Sequence, residues 1–171
     1  MVRKLSLPSA PELAFGAVAV DGTRVVDDQI IQRLAIPTNI IDATTKRVQT
    51  ELNRRESLFR ANRPPLNLTN QTVILVDDGL ATGATMLAAV YFVKKRSPKQ
   101  IVIAVPVAAA EAVAKFRPEV DELVCPAIPE YFYAVGEWYE SFPQLTDSDV
   151  SRILDNEGMK ALAGKAFQRP E

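Results

Sequence analysis

The stretch VILVDDGLATGAT, residues 73–85, limits the possible folds more than any other part of the chain. An apolar run typical of a β-strand stops on two adjacent carboxylates, Asp77 and Asp78, and a loop of small residues leads directly into a helical pattern. A strand, a glycine-containing loop and a helix in immediate succession are typical of an α/β unit with a parallel sheet. Ligands in such folds bind beyond the carboxyl ends of the strands, which is where both carboxylates are expected.

The N-terminal part of the chain predicts a hairpin region followed by one long helix. Residues 1–5 and 13–20 read as short strands separated by a loop, and Asp21-Gly22 predicts a turn into a further strand. Apolar positions between 40 and 59 fall on one helical stripe. An amphipathic helix that ends near Asn62 is therefore expected.

The remaining sequence alternates strand and helix patterns, which places the 73–85 stretch in an α/β domain. Strands are predicted at 72–76, 100–105 and 122–125, and helices at about 85–95 and 109–116. The first of these strands is expected to be buried on both faces, as strands of parallel sheets are. We therefore predict a largely parallel sheet flanked by helices over residues 1–155, followed by a C-terminal tail over residues 156–171.

Composition removes several kinds of chemistry. The 171 residues include no histidine, so Ser-His-Asp and Cys-His machinery and an imidazole base are excluded. Ordinary zinc sites are excluded too, since Cys125 is the only cysteine. A single cysteine fits a reducing compartment, so we expect a cytoplasmic protein, with Cys125 as a small buried hydrophobe rather than a nucleophile. The net charge of −1 and the lack of a long apolar run predict neither a nucleic-acid partner nor a membrane partner.

The residue types of the 73–85 stretch suit a phosphorylated sugar. Carboxylates accept hydrogen bonds from both hydroxyls of a vicinal diol, so the strand-end acid pair suits a ribose. Gly79 and Gly83 allow close backbone approach, Thr82 and Thr85 add hydroxyls, and the following helix N-terminus favours a phosphate. The stretch lacks the lysine of a P-loop and the spacing of a dinucleotide-binding fold. The alternative is an acidic turn that only caps the next helix.

The string VILVDDGLATGATM resembles the signature of type I phosphoribosyltransferases, which bind phosphoribosyl pyrophosphate (PRPP). Further stretches, VRK, ELAFGAV, RRESLFRANRPP, AVPVA and FYAVGEWYESFPQLTDSDV, resemble a bacterial group of these enzymes whose acceptor is unassigned. The resemblance extends from Val2 to about Leu154. It implies a Rossmann-like α/β core with small hood elements.

The resemblance also implies a role for individual residues. Asp77 and Asp78 match the acids that contact the ribose hydroxyls, and they are the candidate catalytic residues. The residues that match the loop around the 5′-phosphate are Ala81, Thr82, Gly83, Ala84 and Thr85. Arg3 and Lys4 resemble a basic pair beside the pyrophosphate, although a solvated strand end is an equal alternative. Mg²⁺ is expected as the cofactor, carried by PRPP oxygens and without direct protein ligands.

The implied function is Mg²⁺-dependent transfer of 5-phosphoribose from PRPP to a nitrogenous, nucleobase-like acceptor, with release of pyrophosphate. Ala81 replaces the aspartate that hypoxanthine–guanine enzymes carry, so that base specificity is not expected. Relatives begin with a further strand, a pyrophosphate-binding loop and a helix ahead of VRK. The chain is therefore expected to be N-terminally incomplete and of low activity. A non-catalytic PRPP or nucleotide sensor on the same fold is the alternative function.

Three weaker expectations complete the sequence-based picture. The basic residues 46–63 lie where relatives keep a flexible loop, so they are a candidate lid, with a solvated helix face as the commoner alternative. Residues 131–142 could stack a planar base on Tyr131, Phe132 or Trp138, while core packing or a dimer contact is the more common use of such aromatics. A sheet edge left open invites association, so a homodimer is expected.

Overall fold

Two three-stranded sheets, one antiparallel and one parallel, organise the part of the chain that is described. A computed structural model describes residues 1–60 and 66–164, with side chains at all of these positions except residue 12 and residues 156–164. The elements in chain order are β1 (Val2–Leu7), β2 (Ala10–Ala19), β3 (Arg24–Val26), α1 (Asp28–Arg33), α2 (Thr38–Arg60), β4 (Thr72–Val76), α3 (Ala84–Lys94), β5 (Gln100–Ala104), α4 (Ala110–Phe116), β6 (Glu122–Val124), a 3-10 turn (Val135–Trp138) and α5 (Asp147–Gly164).

The antiparallel sheet has the order β1-β2-β3. The predicted turn at Asp21-Gly22 is confirmed, and the Thr23 N–H donates to Asp21 Oδ1 at 2.9 Å. The first two strands are longer than expected, because they pair from Val2↔Ala19 to Leu7↔Ala10 and leave only residues 8–9 between them. Lys4 and Ala17 are paired within this ladder, so Lys4 lies on a regular strand.

Helix α2 covers one face of the antiparallel sheet. Its buried positions are Ile41, Thr44, Val48 and Leu52, spaced three or four residues apart. They pack with Leu5 and Phe15 in one apolar cluster, which confirms the predicted amphipathic helix. Residues 46–60 of the candidate lid are therefore regular helix with a buried stripe. The predicted helix end near Asn62 lies outside the described residues.

The parallel sheet has the order β4-β5-β6, with Leu75, Ile103 and Leu123 paired across it. Helices α3 and α4 pack on the face that carries these residues, where Val90 and Phe116 are fully buried. All five predicted strands and helices of this half are present, each shifted by about one residue at most. The α/β class with a parallel sheet is confirmed, whereas the antiparallel sheet is a separate layer and not part of the predicted sheet.

The expectation that β4 is buried on both faces is wrong. Ile74 is 60% exposed and Val76 is 75% exposed, and Val124 of β6 on the same face is 46% exposed. The reason is that α3 and α4 both lie on the opposite face, and within residues 1–60 and 66–164 β4 is an edge strand. A parallel strand is buried twice only when other elements cover both of its faces.

Helix α5 is attached to α2 by ion pairs. Its start is capped reciprocally, since the Asp149 N–H donates to Thr146 Oγ1 and the Thr146 N–H donates to Asp149 Oδ2. Asp147 lies 2.6 Å from Arg54 and 3.2 Å from Arg55. The helix runs to residue 164, past the expected boundary at 155, and residues 165–171 are outside the described part. None of the helices described is both long and apolar enough to cross a bilayer.

Candidate functional site

A cavity of about 630 Å³ opens beyond the carboxyl end of β4. Most of the residues predicted to bind the ligand line it, namely Asp77, Asp78, Ala81, Thr82, Gly83, Thr85, Arg3 and Lys4. Ala84 is the exception, because it lines a neighbouring cavity between α3 and β3. The fold therefore places the acid pair, the small-residue loop and the β1 cations around one space, although β1 and β4 are far apart along the chain.

The two carboxylates lie side by side at the strand end. The Asp78 N–H donates to Asp77 Oδ1 at 3.1 Å, which orients the first carboxyl group. Burial of the Asp77 carboxyl raises its pKa, and the nearby charge of Asp78 raises it further, while the Asp78 N–H and Lys4 act in the opposite direction. Asp77 as a residue remains exposed to the cavity. Because burial removes part of the water around this carboxylate, a ligand hydroxyl that donates a hydrogen bond to it would replace the lost water contacts.

The loop after the acids is anchored by Gly79 and Leu80. Leu80 is 1% exposed, its N–H donates to the Val107 carbonyl at 3.0 Å, and its carbonyl accepts from the Ala109 N–H at 2.8 Å. A Cβ on Gly79 would lie 2.8 Å from Val135 Cγ1, so only glycine fits there without movement. The anchor holds the acids and the start of α3 in a fixed relation.

Gly83 brings the start of α3 to the cavity. Its φ of 70° is in the left-handed region, and a Cβ there would lie 2.4 Å from Phe116 Cε2. No side chain caps α3, although the flanking residues Thr82 and Thr85 line the cavity. A helix start without a side-chain cap, with its positive dipole end beside two threonine hydroxyls, is suited to a phosphate group.

Basic side chains line the same cavity as the acids. Arg3 and Lys4 project from β1, and Arg3 Nη1 lies 3.5 Å from Glu51 Oε1 of α2. The charge of Lys4 partly offsets the rise in the pKa of Asp77 that burial causes, so the two side chains interact electrostatically. The site thus has an acidic side and a basic side, as a ligand with hydroxyls and anionic groups requires.

Several residues that line the cavity were not predicted from the sequence to bind the ligand, among them Arg47 and Glu51, which fell only within the candidate lid, and Val135. Arg47 and Glu51 come from α2, and Val135 comes from the 3-10 turn. The sequence pattern contained a clue to Arg47 and Glu51, because each of them directly precedes a buried residue of α2, Val48 or Leu52, and so lies at the edge of the buried stripe. Using it requires knowing that α2 packs on β1, which no local pattern shows.

The aromatic segment 131–142 contacts the site through one of its hydroxyl groups. The Tyr139 hydroxyl donates to the Asp78 carbonyl at 2.7 Å. Phe132 and Trp138 stack with ring centroids 6.4 Å apart, and Phe132 packs against the core beneath the parallel sheet. None of Tyr131, Phe132 and Trp138 lines the cavity. Core packing, the more common alternative, therefore accounts for Phe132, and base stacking remains a prediction for the others.

The donor set of the site fits a metal that arrives with its ligand. Within residues 1–60 and 66–164, no group of three or more acidic, cysteine or histidine side chains is arranged to hold a metal ion. Asp77 and Asp78 are the two carboxylates of the cavity that are not paired with arginine, and two carboxylates would suit a Mg²⁺ ion that keeps most of its shell from other oxygens. Cys125 donates to the Ala127 carbonyl at 3.2 Å, and burial raises the pKa of its thiol, so it is not an activated nucleophile.

Comparisons with known proteins agree with this geometry. The sequence profile of the phosphoribosyl transferase domain matches residues 18–136. The chain is 41% identical over 155 residues to "Putative phosphoribosyl transferase Rv0571c" of Mycobacterium tuberculosis, and the match covers 91% of this chain but 35% of that protein. It is 29% identical over 92 residues to bifunctional protein PyrR of Brevibacillus brevis, which covers 53% of this chain and 51% of PyrR.

A solved structure supports the fold. The crystal structure of TT1426 from Thermus thermophilus matches with a TM-score of 0.68 and 37% sequence identity, over 90% of this chain and 73% of that one. The profile match includes the acid pair, the small-residue loop and the start of α3. The chain belongs to the phosphoribosyl transferase domain family.

Proposed function

We propose that the chain binds PRPP in the cavity at the end of β4. The ribose hydroxyls donate to Asp77 and Asp78, and the 5′-phosphate accepts hydrogen bonds at the start of α3, beside Thr82 and Thr85. One observation carries this proposal, namely that the acid pair and a helix start without a side-chain cap line the same cavity. Carboxylates suit the neutral diol and the amides suit the anion, so the two ends of a sugar phosphate have matching partners.

The proposed reaction is transfer of 5-phosphoribose to a nitrogenous acceptor. A nitrogen lone pair forms a bond to C1′ of the sugar, and the bond from C1′ to the pyrophosphate oxygen breaks. Positive charge develops at the anomeric carbon and negative charge on the leaving group, so positioning and electrostatics would supply most of the catalysis. Asp77 and Asp78 hold the ring and lie on the side where positive charge develops. Bound Mg²⁺ would neutralise part of the pyrophosphate charge.

A sensor that binds PRPP without transferring its sugar is the second candidate. The specific observation in its favour is that the basic side of the cavity consists of side chains from β1 and α2. Flexible side chains are less preorganised than backbone amides and stabilise a leaving group less effectively. In either case we propose a cytoplasmic protein, as its single cysteine suggests.

The experiment that separates the two candidates measures pyrophosphate release from PRPP with Mg²⁺ across a panel of nucleobases. Release that depends on one base, and that is lost in Asp77→Asn/Asp78→Asn, supports the transferase. PRPP binding without release for any base supports the sensor. Absence of both binding and release would contradict the proposed function.

A further inference from the structure

Arg47 is the cation of the cavity whose role is unexplained. It lies on α2, one residue before the buried Val48, and its side chain is exposed and lines the same cavity as Asp77. It makes no hydrogen bond or ion pair with any described residue. A guanidinium group that faces a cavity without a protein partner is available for an anionic ligand.

The expected partner of Arg47 is already occupied. Glu51 lies one helical turn away, at the i, i+4 position, where an acid normally pairs with a base. Its two carboxylate oxygens instead accept hydrogen bonds from Arg54 at 2.8 and 2.9 Å and from Arg55 at 2.9 Å. The pairing with Arg55 follows the more favourable order, with the acid N-terminal to the base. Glu51 is therefore committed to its C-terminal neighbours, and Arg47 is left facing the cavity.

The remaining space in the cavity determines what Arg47 would contact. In the proposed complex the 5′-phosphate occupies the start of α3 and the ribose contacts the two acids. The other charged residues of the lining, which a second anionic group at C1′ could contact, come from β1 and α2. These elements contribute Arg3, Lys4 and Arg47 to the lining, together with Glu51, whose carboxylate already accepts hydrogen bonds from Arg54 and Arg55. Charge places a pyrophosphate on the side of the three cations.

We propose that Arg47 is a specificity-determining residue that contacts the pyrophosphate group and lets the site distinguish PRPP from ribose 5-phosphate. This inference rests on the proposed function. Arg47 acts together with Arg3, which Glu51 holds loosely at 3.5 Å, and with Lys4. A guanidinium can donate two parallel hydrogen bonds to one phosphate, so arginine is better suited to this role than lysine.

The test compares Arg47→Gln with Lys46→Gln as a matched control. Lys46 is the adjacent exposed cation of α2, but it lines a different cavity, next to the β2–β3 turn. Dissociation constants of PRPP, ribose 5-phosphate and pyrophosphate, each with Mg²⁺, are measured by calorimetry for both variants and the wild type. Arg47→Gln should weaken PRPP and pyrophosphate about tenfold or more and leave ribose 5-phosphate within about twofold, as expected when a charged hydrogen bond is lost. Lys46→Gln should leave all three unchanged.

Further outcomes distinguish this inference from the proposed function. Arg47→Lys should restore part of the PRPP affinity, and the remaining preference for PRPP should fall as salt is added, because the contact is exposed. Equal weakening of PRPP and ribose 5-phosphate by Arg47→Gln, or no weakening of PRPP, would overturn the role of Arg47 while leaving PRPP binding in place. Pyrophosphate binding that depends on Arg47, without any ribose 5-phosphate binding, would contradict the proposed function and retain the anion site. A wild-type chain that binds none of the three overturns both.

Discussion

The acidic and basic sides of the cavity are built in different ways. The acidic side comes from one continuous stretch, because Asp77, Asp78 and the start of α3 follow each other along the chain. The basic side is assembled from β1 and α2, which are brought together by packing of Leu5 in one apolar cluster with Val48 and Leu52. The positions of side chains in a continuous stretch are set by local backbone structure, whereas those contributed by separate elements depend on how the whole domain folds. The two sides should therefore respond differently to substitution.

The largest effect on stability is expected at Gly83, where the backbone conformation and the neighbouring Phe116 leave no room for a side chain. Gly83→Ala places a methyl group 2.4 Å from Phe116 Cε2 at a residue whose φ is 70°. The backbone should cost about 1–2 kcal/mol and the overpacking about 1–3 kcal/mol of unfolding free energy. Denaturant unfolding measures this loss, and sulfate binding should weaken as well.

Gly22→Ala is the matched control for that substitution. Gly22 also has a positive φ, 84°, but a Cβ there would have no neighbour within 4 Å. It should lose only the backbone contribution of about 1–2 kcal/mol and keep its ligand affinity. Equal losses for the two variants would show that the contact with Phe116 does not constrain the loop.

Smaller effects, on ligand affinity, should distinguish the contacts to the sugar from the contacts to the phosphate. Asp77→Asn and Asp78→Asn should each weaken PRPP and ribose 5-phosphate by about 1.5–3 kcal/mol, because a charged hydrogen bond is lost. Both variants should keep sulfate binding, whereas Thr82→Val should weaken all three ligands. Calorimetric titration with each ligand measures the pattern. If the Asp variants lose sulfate and PRPP equally, the sugar is not held by the acids.

Because the pKa of Asp77 is raised, Asp77→Asn should stabilise the ligand-free protein even though it weakens ligand binding. A carboxyl group whose pKa is higher in the folded than in the unfolded state lowers stability once it is ionised, and the loss disappears as the pH falls. Asp77→Asn should therefore raise the melting temperature of the ligand-free protein at pH 7 and bring no gain near pH 3. Affinity of the wild type for PRPP should fall with decreasing pH sooner than an ordinary aspartate would predict. A lower melting temperature for Asp77→Asn at pH 7 would contradict this account.

The two sheets also differ in how well their faces are covered. Helices α2 and α3 both contact the antiparallel sheet, where Ala17, Val18 and Ala19 are fully buried. The parallel sheet keeps Ile74 and Val76 exposed at its β4 edge. We expect this edge to mediate self-association, and Val76→Lys should shift the chain toward monomer with little change in stability. Sedimentation velocity over a concentration series measures it, with Leu58→Lys on α2 as control. A wild type that stays monomeric at high concentration would contradict the homodimer expectation.

The smallest effect is expected on the basic side, at Glu51. Hydrogen bonds from Arg54, and then from Arg55, lower the pKa of Glu51 to about 2. A depressed pKa contributes stability above the unfolded-state value and loses it as the pH falls toward the folded-state value. Glu51→Gln should lower the melting temperature slightly at pH 7, and the difference should vanish near pH 2. A difference that persists at pH 2 would show that the arginine hydrogen bonds, and not the charge, matter.

The sequence predicted the parallel sheet and the acidic side well because both are local. The positions of residues 77–85 are set by a strand, a turn and a helix start that follow each other directly in the sequence. Ala84 is the one predicted site residue that lines the neighbouring cavity instead. The basic side was predicted in part, since Arg3 and Lys4 were predicted to lie beside the pyrophosphate, whereas Arg47 was included only in the candidate lid. The exposure of Val76 was missed because a strand pattern shows apolar character but not which faces the helices cover.

PRPP binding at the end of β4 is the central claim, and a thermal unfolding series with PRPP and Mg²⁺ tests it most directly. Ligand that binds only the folded chain should add roughly 2.7 kcal/mol of stability at 100 times its dissociation constant. We predict a rise in melting temperature that grows with PRPP concentration in the wild type and is lost in Asp77→Asn/Asp78→Asn. The absence of any shift at millimolar PRPP in the wild type, or the same shift in the double variant, would contradict the account.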